Sequence, residues 1–268
     1  LEIILNFNLS NSIHFYRLTS KLVPLSTHKD VLFDCKKKFK EHFKLIGELM
    51  IQNNMRIDMH PDQFNVISSD RDIVVQNTLR NLLHHAEILD LLEYIYGKLI
   101  VHVGSTKKGK EDSIKRFISN FNSYPENIRK IIIIENDDKS YTAKETLALC
   151  KELHVPMVLD VHHHLCKNNG EHILELLPEI FKTWQDEYFP PKIHFSSGRN
   201  HKLDRRHSDY INVSDFIDFI EIAKTLDIDF DIMLEAKMKD DALLRLIEDI
   251  KTTTNYQWLD ETTFIVQE

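Results

Sequence analysis

The chain has 268 residues, 42 % of them hydrophobic and 28 % charged, with a formal net charge of −8, only 6 glycines and as many as 15 histidines. This is an ordinary globular composition able to bury a core, and because no two glycines stand two or four apart, the G-x-G-x-x-G dinucleotide turn and the G-x-S-x-G nucleophile elbow are excluded. The negative balance argues against gripping nucleic acid with the average surface, although bound divalent cations, which a formal count leaves out, would concentrate positive charge at one place.

In chain order, residues 1–7 read as the end of a helix whose preceding strand falls before residue 1, since the chain opens on Leu. Seven short β-branched runs follow, at 14–19, 56–60, 99–103, 130–135, 157–161, 192–195 and 229–235. Helical spacing of apolar residues fills the intervals at 36–52, 71–96, 111–123, 142–153, 171–186, 213–226 and 239–251. Repeated βα units predict a parallel sheet. The length suits one α/β barrel of ~250 residues, so the expectation is a single domain over 1–268, N-terminally truncated by one strand. No run approaches the ~18 apolar residues of a membrane span. The three cysteines (Cys35, Cys150 and Cys166) form no C-x-x-C pair, which places the chain in a reducing cytoplasm.

In a parallel barrel the chemistry sits at the carboxyl ends of the strands, and here those ends are loaded. They carry His60 in IDMHPDQF, His102 in IVHVGS, Glu135 in IIIEND, Asp160 and His163 in VLDVHHH, His194 in KIHFSS and Glu235 in IMLEAK. Any single strand-end histidine serves structure more often than chemistry. Six strands ending this way, directly after apolar residues where an unpaired charge is costly, point instead to bound cations. His with Asp and Glu, without Cys, suits Zn, Mn or Fe. Seven ligands exceed one coordination sphere, so two or three ions are expected, the arrangement that supports in-line displacement at a phosphodiester.

His14, His42, His84, His85, His154 and His172 fall at a strand start or on helices and read as structural. His28 follows LVPLST, and His201 and His207 lie in a basic loop with Arg199, Lys202, Arg205 and Arg206. A second basic stretch holds Lys107, Lys108, Lys110, Lys115 and Arg116. Both are ordinary solvated turns or places where phosphates arrive. Lys192 shares a strand face with His194, so if His194 points inward its ammonium needs a carboxylate partner or carbamylation; a native mass spectrum without an added carboxyl group would exclude the modification.

The segments RLTSKLVPLSTH, MRIDMHPDQF, VHVGS, IENDDKSYTAKETL, VLDVHHH, PKIHFSS, RRHSDY and IMLEAKMKDDALLRL, spread over residues 14–250, closely resemble the UV damage endonuclease family. The resemblance implies a metal-dependent (β/α)8 TIM barrel, related to apurinic endonuclease and sugar isomerase barrels. It also implies an enzyme that nicks damaged double-stranded DNA immediately 5′ to pyrimidine dimers and related photoproducts, leaving a 3′-hydroxyl and a 5′-phosphate. Carried over by position, the metal ligands are His28, His60, His102, Glu135, Asp160, His163, His194, His207 and Glu235. Glu135 bridges two ions; Lys192 falls where the family has a modified lysine, and Glu135, Lys192 and Glu235 make up the catalytic set. Gln63 and Phe64 resemble the pair that probes the lesion, where an aromatic wedge replaces lost stacking. The expected cofactors are two or three divalent ions, with Mn²⁺ favoured over Zn²⁺, and the expected form is a cytoplasmic monomer with no membrane partner. A metal-dependent sugar isomerase or epimerase of the same architecture is the alternative. The family's opening strand, with its aromatic and Asn, has no counterpart before His14.

Overall fold

The computed structural model describes residues 1–23 and 35–266. These form two compact units, residues 1–10 with 14–134 and residues 11–13 with 135–268.

The first unit opens with helix α1 (Glu2–Ser10), as expected for residues 1–7, and no strand precedes it among the described residues. There follow β1 (Phe15–Leu18), α2 (Cys35–Gln52), β2 (Arg56–Met59), α3 (Asp72–Leu91), β3 (Lys98–His102), α4 (Lys110–Ser123), the short α5 (Glu126–Arg129) and β4 (Ile132–Glu135), whose last residue begins the second unit. β1 runs parallel to β2 in the register Phe15↔Arg56 to Leu18↔Met59, and β2 to β3 through Asp58↔Lys98. Every residue of β2 and β4 is buried; β4 reads accordingly as an unbroken isoleucine run before Glu135, whereas β2 buries the charged Arg56 and Asp58 among its apolar residues.

The second unit alternates α6 (Ala143–Leu153), β5 (Met157–Asp160), α7 (Val161–Cys166), α8 (Ile173–Lys182), β6 (Lys192–Phe195), α9 (Val213–Ala223) with a 3₁₀ turn after it, β7 (Asp231–Leu234) and α10 (Lys239–Thr253). β5, β6 and β7 pair in parallel, with Asp160 beside His194 and Phe195 beside Leu234. Phe195 packs edge-on against Phe216, 5.1 Å between ring centres, seating α9 on the sheet. A small antiparallel hairpin, β8 (Gln257–Trp258) with β9 (Phe264–Ile265), closes the unit. Its Thr262 hydroxyl donates to Ser12 O at 2.6 Å.

The glycine shortage has a visible consequence at helix ends. α2, α3 and α6 each end with a residue in the left-handed region, a position usually given to Gly. Asn54 (φ 48°), Glu93 (φ 52°) and His154 (φ 54°) occupy it instead. Behind each, the amide of the next residue donates five positions back: Met55 to Met50 O, Tyr94 to Leu89 O and Val155 to Cys150 O. A non-glycine there strains the backbone by ~1–2 kcal/mol. The Tyr94 hydroxyl, donating to Met55 O at 2.6 Å, and the burial of Met50, Leu89 and Cys150 offset that cost. The stop at Glu93 also explains why α3 ends at Leu91, short of the helix expected through 96.

One strand differs in kind from its sequence reading. The stretch expected at 157–161 ends at Asp160, and VHHHLC forms the helix α7. The Asp160 carboxylate caps it, Oδ1 accepting from His163 N at 2.7 Å. His163 is therefore a first-turn helix residue, not a strand-end one.

Candidate metal centre

In the second unit the strands deliver Glu135 from the end of β4, Asp160 from the end of β5, His194 from within β6 and Glu235 from just past β7. One ligand atom from each lies within 4.8 Å of all the others. Glu135, Asp160 and His194 are buried, and Glu235 is half-buried. His194 Nδ1 stands 2.8 Å from Glu135 Oε1 and 3.3 Å from Glu235 Oε1. Three carboxylates in so small a volume repel one another, and burial pushes the Asp160 carboxyl up to about 7, helped by the charges of Glu135 and Glu235. Among the described residues Asp160 Oδ2 is moreover buried without a hydrogen-bond partner. An orphaned carboxylate oxygen facing two further carboxylates and an imidazole is a poor site for a bare chain. The same donor set, free of thiolate, fits a divalent cation such as Mn²⁺ or Zn²⁺.

α7 adds His163 to this group. Its Nδ1 donates to Asn136 O at 3.0 Å and lies 3.7 Å from Glu135 Oε1 and 3.8 Å from Asp160 Oδ2. Although burial opposes it, the carboxylates of Asp160 and Glu135 raise His163 to about 9. With Nδ1 on a backbone carbonyl, a cation held by this ring after it loses its proton would meet Nε2.

His207 arrives by a longer route. Gly198 bridges to His207, and Arg199 N donates to Arg206 O at 2.8 Å, so residues 198–207 fold back as a loop. Gly198 is needed there, since an added Cβ would fall 2.2 Å from His201 O. The loop is held by Asp204, whose carboxylate accepts from Arg206 Nε, Arg206 Nη2 and Asn200 Nδ2 and is kept well below the usual range by the guanidinium. His162 Nε2 donates to Asp204 O at 2.9 Å. The fold-back sets His207 Nδ1 3.6 Å from Glu235 Oε2 and its ring 6.1 Å from that of His163.

Asn136 is the residue that sequence reasoning passed over. Fully buried after Glu135, its Nδ2 donates to Asp160 O at 3.0 Å and its Oδ1 accepts from Asp160 N at 2.9 Å. That reciprocal amide pair fixes the backbone carrying Asp160, while the Asn136 carbonyl orients His163. An Asn directly following a strand-end carboxylate in an apolar run was the available signal. Lys192 is completely buried, not an exposed lysine at a strand start.

In the first unit His60 and His102 stand together, ring centres 5.3 Å apart, both half-buried. His60 Nδ1 lies 3.1 Å from Pro61 O. His28 lies outside the described residues. Gln63 and Phe64 occupy the exposed tip of the following loop, with Phe64 76 % exposed. Behind the tip the loop is rigidly tied. Thr78 Oγ1 accepts from Val66 N, Asn120 donates to Ile67 O, Arg116 donates to Ser68 O, and Ser68 Oγ donates to Val103 O while accepting from Ser105 N.

The two basic loops hold less free charge than their sequences suggest. Lys202 pairs with Asp215 at 2.6 Å, Arg205 with Asp138 at 3.6 Å and Arg206 with Asp204, leaving Arg199 without an ion pair among the described residues. Lys107 and Lys108 both pair with Asp70, and Arg116 is spent on backbone carbonyls.

Comparison with known proteins places this arrangement. The profile of a family described as UV-endonuclease UvdE matches residues 1–262. A UV DNA damage endonuclease of Bacillus cereus (strain G9842) is 40 % identical over 248 residues, covering 92 % of this chain and 78 % of the relative. Among solved structures, the crystal structure of SacUVDE is similar with a TM-score of 0.85 at 35 % identity, over 93 % of this chain and 84 % of that one. Endonuclease IV from Thermus thermophilus is similar in fold alone, with a TM-score of 0.63 at 14 % identity over 94 % of both chains. The fold class is the TIM barrel expected from the sequence, with seven parallel strands among the described residues. The chain is an endonuclease and belongs to the UV-endonuclease UvdE family.

Proposed function

We propose that this chain is a DNA repair enzyme that hydrolyses one phosphodiester of damaged double-stranded DNA immediately 5′ to a UV photoproduct, leaving a 3′-hydroxyl and a 5′-phosphate. The observation that carries the chemistry is the group Glu135, Asp160, His194 and Glu235, three of them buried, whose crowded negative charge favours a bound cation. In this reading those four residues, with His163 and His207, hold divalent ions, and His60 and His102 supply a further pair of ligands. Two or three ions, Mn²⁺ before Zn²⁺, would lower the pKa of a water and stabilise the leaving oxygen of the cleaved strand. Glu135, Glu235 and a carbamylated Lys192 complete the catalytic set, Asn136 holds Asp160 in position, and Gln63 and Phe64 enter the duplex at the lesion. The enzyme acts as a cytoplasmic monomer; no helix among the described residues is long and apolar enough to cross a membrane.

The test is nicking of supercoiled plasmid, irradiated and not, by the full chain with Mn²⁺ and with excess chelator. Nicking confined to irradiated plasmid and abolished by chelator is expected. Equal nicking of both plasmids would remove lesion specificity, and chelator-resistant nicking would remove the metal assignment.

A further inference from the structure

Within the first unit, loop 62–71, which carries Gln63 and Phe64, is fastened to the strand end that carries His102, and the fastening runs through side chains outside the metal centre. Ser68 is fully buried. Its hydroxyl donates to Val103 O at 2.7 Å and accepts from Ser105 N at 2.9 Å, so one side chain spans the turn that leaves β3. Gly104, at φ +90°, lets the two loops meet there, since an added Cβ would lie 3.0 Å from Val66 Cγ1 and 3.2 Å from Ser68 Oγ. From α4 the Arg116 guanidinium forks between the same two loops. Its Nε donates to Ser68 O at 3.0 Å, and its Nη2 donates to Lys107 O at 2.6 Å and to Ser113 Oγ at 2.7 Å. Asn120, a turn further along α4, donates to Ile67 O at 2.7 Å. On its other side the loop faces a stripe of α3 formed by Val74, Asn77, Thr78 and Asn81, and Thr78 adds a bond to Val66 N.

We propose that Ser68 and Arg116 are positioning residues that set the distance from the loop tip to the strand bearing His102, and so select which phosphodiester is cut, an inference that rests on the function proposed above. Successive phosphates of one strand are spaced ~3.4 Å along the duplex axis. A tip seated at the lesion therefore presents a single phosphodiester to the metals only while it keeps its place relative to β3 to within about half of that rise. The tip is stiff in itself, with Asn65 N donating to Asp62 O at 2.9 Å and Asn65 Nδ2 to the same oxygen at 2.8 Å. Its place is then decided at its base, where Val66, Ile67 and Ser68 carry the anchors. Neither clamp residue is a metal ligand; each acts by holding backbone. A planar fork with donors in two directions can join the carbonyls of two separate loops, whereas the compact ammonium of a lysine does not reproduce that fork.

The test maps nicks at nucleotide resolution on an end-labelled duplex containing one thymine dimer, using the full chain with Mn²⁺. The wild type is expected to nick at one position. Ser68→Ala, Arg116→Ala and Arg116→Lys should each displace roughly a tenth or more of the nicks by one phosphodiester, since a lost hydrogen bond of this kind is worth about a factor of ten. Phe121→Leu, a core substitution on α4 that removes no clamp bond, controls for lost stability and should keep the single position. Nicks at the wild-type position alone in every clamp variant overturn the proposal, as does equal displacement in Phe121→Leu, or a folded clamp variant that nicks nowhere. If Ser68→Ala does not fold, the two variants of the half-buried Arg116 decide. A single wild-type nick with unshifted variants removes the clamp alone, whereas a wild type that does not nick at the dimer removes the endonuclease reading and the clamp with it.

Discussion

Asp160→Asn is expected to reduce nicking of irradiated DNA by about a thousandfold or more, while the cation-free protein melts no lower than wild type. The substitution changes charge and little else. Asn is as good a helix cap as Asp, so its side-chain oxygen retains the bond to His163 N that starts α7. The backbone pair with Asn136 is unaffected. What is lost is one of three clustered carboxylates, and electrostatic stabilisation by a bound cation amounts to several kcal/mol of barrier, with each 1.36 kcal/mol worth a factor of ten. In the cation-free protein the removed charge was buried and repelled by Glu135 and Glu235, so its neutralisation relieves the fold. Thermal melting separates the two effects. At Mn²⁺ about 100-fold above its dissociation constant, the wild type gains ~2.7 kcal/mol, or roughly 5–10 °C for a chain of this size. The variant should gain little. A variant that nicks normally and shows the full Mn²⁺ shift would remove Asp160 from the metal centre.

Phe64→Ala is the complementary case, expected to leave stability within ~0.5 kcal/mol while weakening lesion binding by about tenfold. The ring is 76 % exposed, so its removal opens no cavity in the core. The loop behind it does not depend on the ring, since its anchors are Thr78, Asn120, Arg116 and Ser68. Stacking of one base on an aromatic is worth ~1–3 kcal/mol, and a wedge on a tethered loop delivers that without an ordering cost for the loop. The loss should fall on irradiated DNA and spare intact duplex, whose bases are already stacked. Equal weakening of both would make Phe64 a general contact, and unchanged binding would remove it from the lesion.

Much of this was legible in one dimension, and for a definable reason. Parallel strands buried on both faces tend to be apolar along most of their length, so a His or carboxylate directly after such a run stands out, as Glu135, Asp160 and His102 do. Helix caps are equally local: Thr142 and Glu145 form the reciprocal box that their spacing of three predicts. The scarcity of glycine was also plain, though only the αL conformations of Asn54, Glu93 and His154 show where other residues took its place.

The sequence by itself determined the parallel βα order and the histidines and carboxylates at the strand ends, because both follow from periodicities of a few residues. Tertiary structure alone decided the rest. It turned His163 onto a helix capped by Asp160, brought His207 back through the fold of residues 198–207, made Asn136 the support of Asp160, and spent most of the basic loops on neighbouring carboxylates. It also laid a stripe of α3 against the loop carrying Gln63 and Phe64. Each of these depends on where a chain reversal closes and which distant group then satisfies a buried donor or acceptor, and no local pattern of residue types encodes that closure.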